Sequence, residues 1–147
     1  MPNISVIMGV YNGEHRVTKA VESILNQDYE DFEFIICDDG STDDSYYVLE
    51  MLSKQDNRIV LLKNSKNMGL APTLNYCLKN ARASYIARMD DDDWSHPERF
   101  KKQVKFLDEN PSYGYVGCNI GIKHDGQAIG FRKFPEKPIE NDFLYTL

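Results

Sequence analysis

No apolar run in this sequence of 147 residues is long enough for a membrane-crossing helix. The opening Met1-Pro2-Asn3 lacks the basic and apolar regions of a signal peptide. The expectation is a cytoplasmic soluble domain, with any membrane association supplied by a longer parent chain. Basic residues are also in short supply: 17 Lys and Arg against 23 Asp and Glu, a net charge of −6. That balance excludes a general nucleic-acid binder and a polybasic membrane-surface module, both of which need a basic face. Cysteine is scarce, with Cys37, Cys77 and Cys118 far apart and free of CxxC spacing. A disulfide framework or zinc site is thereby excluded, and small buried hydrophobes are expected at all three. The glycine patterns that cradle phosphates are missing too. No GxGxxG follows the first strand, and no GxxxxGK[ST] exists anywhere. Linkers, repeats and low-complexity stretches are likewise absent, so residues 1–147 read as one domain.

What the chain does have is acid in two places. Asp38, Asp39, Asp43 and Asp44 form one cluster, and Asp90, Asp91, Asp92 and Asp93 form the other. Without those eight, fifteen acids face seventeen bases, so the negative balance resides wholly in two short segments. Four adjacent aspartates repel one another and disfavour regular structure unless solvent or a cation relieves them.

The apolar pattern alternates between strand and helix. Residues 4–10, 32–37, 59–62, 85–89 and 113–119 read as short buried strands. Helical spacing links Val17, Val21, Ile24 and Leu25, then Val48, Leu49 and Leu52. It recurs in Leu74, Cys77, Leu78 and Ala81, and again in Phe100, Val104 and Leu107. Ser41 with Asp44, and Ser95 with Glu98, have capping-box spacing for the helices that follow. Residues 120–134 suggest a hairpin turning at Asp125-Gly126. The predicted class is α/β, with a mostly parallel central sheet flanked by helices.

In such sheets ligands bind beyond the carboxyl ends of the strands. Tyr11-Asn12, Asp38-Asp39, the Lys66-Asn67 loop and Asp90 to Asp93 all follow those ends and are predicted to share one edge. Carboxylates without His or Cys suit a hard cation such as Mn²⁺ or Mg²⁺. With that cation between them, the same carboxylates would attract a diphosphate that they would otherwise repel.

Taken in order, the motifs resemble the inverting family 2 glycosyltransferases. They are Ile4 to Met8 with Tyr11-Asn12-Gly13-Glu14, Ser23-Ile24-Leu25-Asn26-Gln27, Asp38-Asp39-Gly40-Ser41-Thr42-Asp43, Asn67-Met68-Gly69-Leu70 with Asn75, and Arg88-Met89-Asp90-Asp91-Asp92-Asp93. Pro97, Arg99 and Gln103 follow at the family's spacing. The resemblance implies a GT-A fold, a Rossmann-like sandwich. It also implies a nucleotide-sugar donor, foremost a UDP-sugar, a glycan or lipid-linked acceptor, and metal-dependent transfer with inversion.

Carried over by residue, the resemblance places Tyr11 against the base, with Val10 and Asn12 at the pocket edge. Asp39 would accept from the base's ring N–H. Glu14, Asn67 and Gly69 would border the nucleoside, and Asp91 the ribose or sugar. Asp92, with Asp90, would hold the metal. No catalytic base is assigned; the family's base is expected in an acceptor-binding segment beyond Leu147. Plain structural roles compete for several of these residues: a helix cap for Asp43, a solvated loop acid for Glu14, and a salt-bridge partner of the aspartates for Arg88. Two other functions compete as well. They are a non-catalytic nucleotide or metal module of a longer enzyme, and a sugar-nucleotide nucleotidyltransferase, the latter disfavoured by the absence of a glycine-rich basic loop.

Overall fold

The computed structural model describes residues 1–124 and 127–133, which divide into two compact units, Met1–Val104 and a second that begins at Lys105. The first unit is an alternating α/β arrangement. Its strands are β1 (Ile4–Val10), β2 (Phe32–Asp38), β3 (Ile59–Lys63) and β4 (Tyr85–Arg88). They form one parallel sheet in the order β3-β2-β1-β4. Strands of a parallel sheet are covered on both faces, so they read as continuous apolar runs. β1 and β2 are almost entirely buried.

Alternation along the pleat sorts the side chains into two cores. Val6, Met8, Phe34 and Ile36 face the core that includes Val17, Val21 and Ile24 of α1 (Val17–Leu25), Leu49 and Leu52 of α2 (Ser45–Gln55), and Phe100 and Val104 of α4 (Arg99–Glu109). Ile7, Ile35 and Cys37 face the opposite side and meet Cys77 of α3 (Leu70–Asn80). Leu78, predicted for that helix face, is instead exposed at 41%, and Thr73 takes the buried position. The 100° step per residue carries Leu78 past the contact stripe that Thr73 and Cys77 share.

The register aligns the strand ends that matter. Val10 pairs with Asp38, and Asp38 with Lys63. Arg88 pairs with Ile7, so Asp90 comes level with the end of β1. Strand order diverges at β1, with β2 on one side and β4 on the other, the kind of switch point where such sheets open a crevice. At the opposite edge the buried Glu33 carboxylate is held between Ser5 and a largely exposed Arg82. Ser5 donates its hydroxyl hydrogen bond to Glu33 at 2.7 Å, and the Arg82 guanidinium donates to Glu33 at 2.6 and 2.9 Å. Burial alone would raise the Glu33 carboxyl, but the Arg82 and Ser5 bonds hold it below its usual value.

Two helix starts differ from the capping-box expectation. α2 begins at Ser45, and the Ser41 hydroxyl accepts from the Asn12 N–H rather than capping a helix. Asp43 stands one residue before the N-cap Asp44 and accepts from the Ser45 N–H at 3.0 Å, while Asp44 itself makes no side-chain cap bond. α4 begins at Arg99, not after Ser95, because a distant side chain caps it. Gln27 accepts from the Phe100 N–H at 3.1 Å and donates to the His96 carbonyl at 2.8 Å and the Ser95 hydroxyl at 3.1 Å.

In the second unit, Tyr113–Asn119 is not a strand. Among the described residues it has no ladder partner, and an extended run cannot form a sheet without one. Cys118, expected to be buried, is exposed. β5 (Ile120–His124) and β6 (Gln127–Arg132) form the predicted antiparallel hairpin, with an irregularity between Ile122 and Lys123. Its turn, Asp125-Gly126, lies outside the described residues.

Candidate nucleotide site

The loop after β1 is held by its neighbours on both sides. Asn12 takes a positive φ of 50°, a conformation Asn tolerates better than most residues. It donates its backbone N–H to Ser41 at 3.0 Å, while its side-chain oxygen accepts from the Thr42 N–H at 2.9 Å. Tyr11 is 42% exposed at the strand end, an aromatic ring available to a ligand face. Val10 reaches the site only through its backbone. Its side chain is in the core, and its carbonyl accepts from the Asp39 N–H at 2.8 Å. Glu14 is engaged in the fold, accepting from the Asp44 N–H at 2.8 Å and pairing with His15.

Asp39 sits at the centre of a donor cradle. One carboxylate oxygen accepts from the Asn64 amide at 2.7 Å and the Met68 N–H at 2.9 Å. The other accepts from the Gly69 N–H at 2.9 Å, which Asn67 also accepts. Burial at 3% exposure would raise this carboxyl, but these bonds hold it below its ordinary value. The second oxygen keeps acceptor capacity for a further N–H. The cradle requires Gly40. Its φ is 69°, and a Cβ there would lie 2.5 Å from the Lys66 carbonyl carbon, inside any real contact. Asp38, next to it, is fully buried, accepts from the Ser41 N–H at 3.3 Å, and keeps one oxygen without a hydrogen-bond partner.

The aspartate run divides by role. Asp90 is gripped by Arg88 through both oxygens, at 2.8 and 3.0 Å, the salt bridge expected for Arg88. Asp91 is gripped by Arg16 at 2.9 Å. Asp93 is pushed up by partial burial and by Asp92 and Asp90, with Arg99 and Arg88 opposing. Asp92 is exposed and, among the described residues, takes no hydrogen bond or ion pair. No group of three or more metal-ligating side chains converges among the described residues. A free carboxylate beside a partly engaged one suits a hard cation whose remaining ligands are phosphate oxygens and water, the usual way Mg²⁺ is held. An all-protein cage is not what these residues build.

The order of these motifs along the chain has parallels in known proteins. The family model described as Glycosyl transferase family 2 matches residues 5–146. The chain belongs to glycosyl transferase family 2. A putative glycosyltransferase of Bacillus subtilis (strain 168), EpsE, is 41% identical over 138 residues, covering 93% of this chain and 50% of that protein. The UDP-Glc:alpha-D-GlcNAc-diphosphoundecaprenol beta-1,3-glucosyltransferase WfaP of Escherichia coli is 37% identical over 136 residues, covering 92% and 53%. The structure of S. aureus TarS 1-349 in complex with UDP-GlcNAc matches with a TM-score of 0.67 and 30% identity, over 74% of this chain and 32% of that one. The fold is therefore the GT-A fold of these glycosyltransferases, as the sequence motifs implied. This family member spans about half the length of the curated relatives it matches.

Sequence reasoning gave no role to Gly40, Asn64, Thr73, Arg16 or Gly13, although Gly13 and Gly40 stand within the motifs named above. A glycine directly after the acid pair was the one local signal for Gly40. Asn64 and Arg16 act through partners 25 and 75 positions away, which no local pattern announces.

Proposed function

We propose that this chain is the donor-binding part of a glycosyltransferase that takes a UDP-sugar with Mn²⁺ or Mg²⁺ and transfers the sugar, with inversion, to a glycan or lipid-linked acceptor. The observation that carries the reading is the shared edge: exposed Tyr11, the Asp39 cradle and exposed Asp92 all follow strand ends that the register aligns. The ring of Tyr11 would stack on the base, and the open acceptor of Asp39 would take the base N–H. Asp91 would reach the ribose. Asn12, Glu14, Asn67 and Gly69 would act chiefly by shaping the loops, and Val10 through its carbonyl. Asp92, assisted by Asp90, would hold the metal, which when bound neutralises charge on the departing diphosphate.

The names of the relatives support the donor and acceptor classes. TarS was solved with UDP and with UDP-GlcNAc, and WfaP is named for UDP-Glc and a diphosphoundecaprenol-linked acceptor. The base that deprotonates the acceptor hydroxyl is assigned to the part of the enzyme that recognises the acceptor, so donor binding rather than turnover is the activity to measure. UDP should raise the melting temperature of the chain with Mn²⁺ or Mg²⁺ and much less with EDTA. A shift that ignores the metal removes the metal from the reading. No shift with any nucleoside diphosphate removes the reading itself.

A further inference from the structure

Resting on that donor-site reading, we infer that Arg16 is a positioning residue, which fixes the acidic run against the nucleoside loop so that Asp91 presents its free oxygen to the nucleoside. One guanidinium makes three charge-assisted contacts, two within its own loop and one across to the acidic run. It donates to the Asn12 carbonyl at 3.0 Å, to the Tyr11 carbonyl at 3.2 Å and to one Asp91 carboxylate oxygen at 2.9 Å. The first two partners belong to the exit of β1 and the third to the exit of β4, which are separate chain segments with no covalent reason to keep their spacing. The Asp91 side chain is only 14% exposed, whereas Arg16 is 46% exposed. The carboxylate is thus largely withdrawn from solvent, while the arginine that grips it stays partly open.

The packing around this bridge shows that it is built. A Cβ at Gly13 would lie 2.6 Å from the engaged Asp91 oxygen and 3.5 Å from the Arg16 guanidinium carbon. Gly13 is itself pinned from behind, donating its N–H to the buried Ser45 hydroxyl at 2.7 Å. Its carbonyl accepts from the N–H groups of Arg16 and Val17 at 3.0 and 2.9 Å, which starts α1 and aims the Arg16 stem toward the crevice. A planar fork with several donors suits three acceptors in different directions, and a lysine ammonium on a shorter reach cannot meet them together. With one Asp91 oxygen occupied by Arg16, the other is held at a set angle for a hydroxyl donor on the ligand.

The rival role for an exposed arginine at this edge is a direct contact with the diphosphate, and the two roles separate cleanly. Calorimetric binding of UDP and of uridine, each with Mn²⁺, should be compared for the native chain and for Arg16→Met, Arg16→Lys, Gly13→Ala, Asp91→Asn and the double variant Arg16→Met/Asp91→Asn. Positioning predicts that Arg16→Met and Arg16→Lys each lose about tenfold for UDP and for uridine alike. It also predicts that the double variant binds no more weakly than Asp91→Asn alone. Gly13→Ala keeps both charges but displaces the carboxylate, so it should reproduce the loss and serves if Arg16→Met does not fold. The inference is overturned if uridine binding survives Arg16→Met while UDP binding falls, if Arg16→Lys binds normally, or if the two losses add. A native chain that binds neither ligand instead overturns the donor-site reading, and this inference with it.

Discussion

Asp39 carries the clearest consequences at the scale of one residue. All its partners are donors, so Asp39→Asn would set an amide N–H group against them. The expected cost is about 2 kcal/mol of stability, read as a lower urea midpoint. Because the folded carboxyl lies below its ordinary value, its stabilisation is complete above about pH 4 and is lost as pH falls through the folded value. Glu33, held down by Arg82 and Ser5, contributes with the same sign in the same acid range. The urea gap between native protein and Asp39→Asn should therefore narrow from pH 7 to pH 3. Asp92→Ala should abolish the Mn²⁺-dependent part of UDP stabilisation and leave the metal-free part intact; an unchanged response would take Asp92 out of that role. The aspartates themselves were legible because residue type states their chemistry. Which oxygen each one keeps open was not, since Arg88, Arg16 and Asn64 claim particular atoms only once the chain has folded.

At the scale of elements, the strands of the parallel sheet were legible almost residue by residue. Both-face burial makes β1 a run that is apolar or small except at the buried Ser5, and Ile4–Val10 is bounded as read. Tyr113–Asn119 has similar residues but no ladder among the described residues, and composition cannot supply a partner. Helix starts were the weakest reading for a related reason. The motif Ser95-His96-Pro97-Glu98 satisfies a local rule, yet Gln27 takes the Phe100 N–H across 73 positions. Gln27→Ala would strand that N–H and the buried Ser95 hydroxyl together. A loss of about 2–3 kcal/mol follows, measurable as a melting shift without ligand. Gly40→Ala should be worse for the site than for the sheet. A methyl group 2.5 Å from the Lys66 carbonyl carbon must push the 66–69 loop off Asp39. UDP affinity should fall while the far-ultraviolet circular dichroism of the folded protein stays native.

At the scale of the whole molecule, the net charge of −6 is a property of two loops on a near-neutral scaffold. Electrostatics at the shared edge should therefore respond to salt in opposite senses. Without metal, the aspartates repel a diphosphate, and raising ionic strength should improve UDP binding by screening that repulsion. With Mn²⁺ bound, attraction dominates, and the same salt should weaken binding. A salt response of one sign in both conditions would contradict the charge arrangement proposed.

The strand order has a consequence in time. β1 pairs with β2 about one helix later, but its pairing with β4 must wait until Tyr85–Arg88 has been synthesised and brought back. Contacts of such long sequence separation close late and slow the search for the native topology. The junction of β1 with β4 is thus expected to form after that of β1 with β2, with its contacts largely absent from the folding transition state. A ligand spanning it should leave the refolding rate almost unchanged and act on the unfolding rate instead. Nucleotide would then prolong the life of the folded chain without hastening its birth.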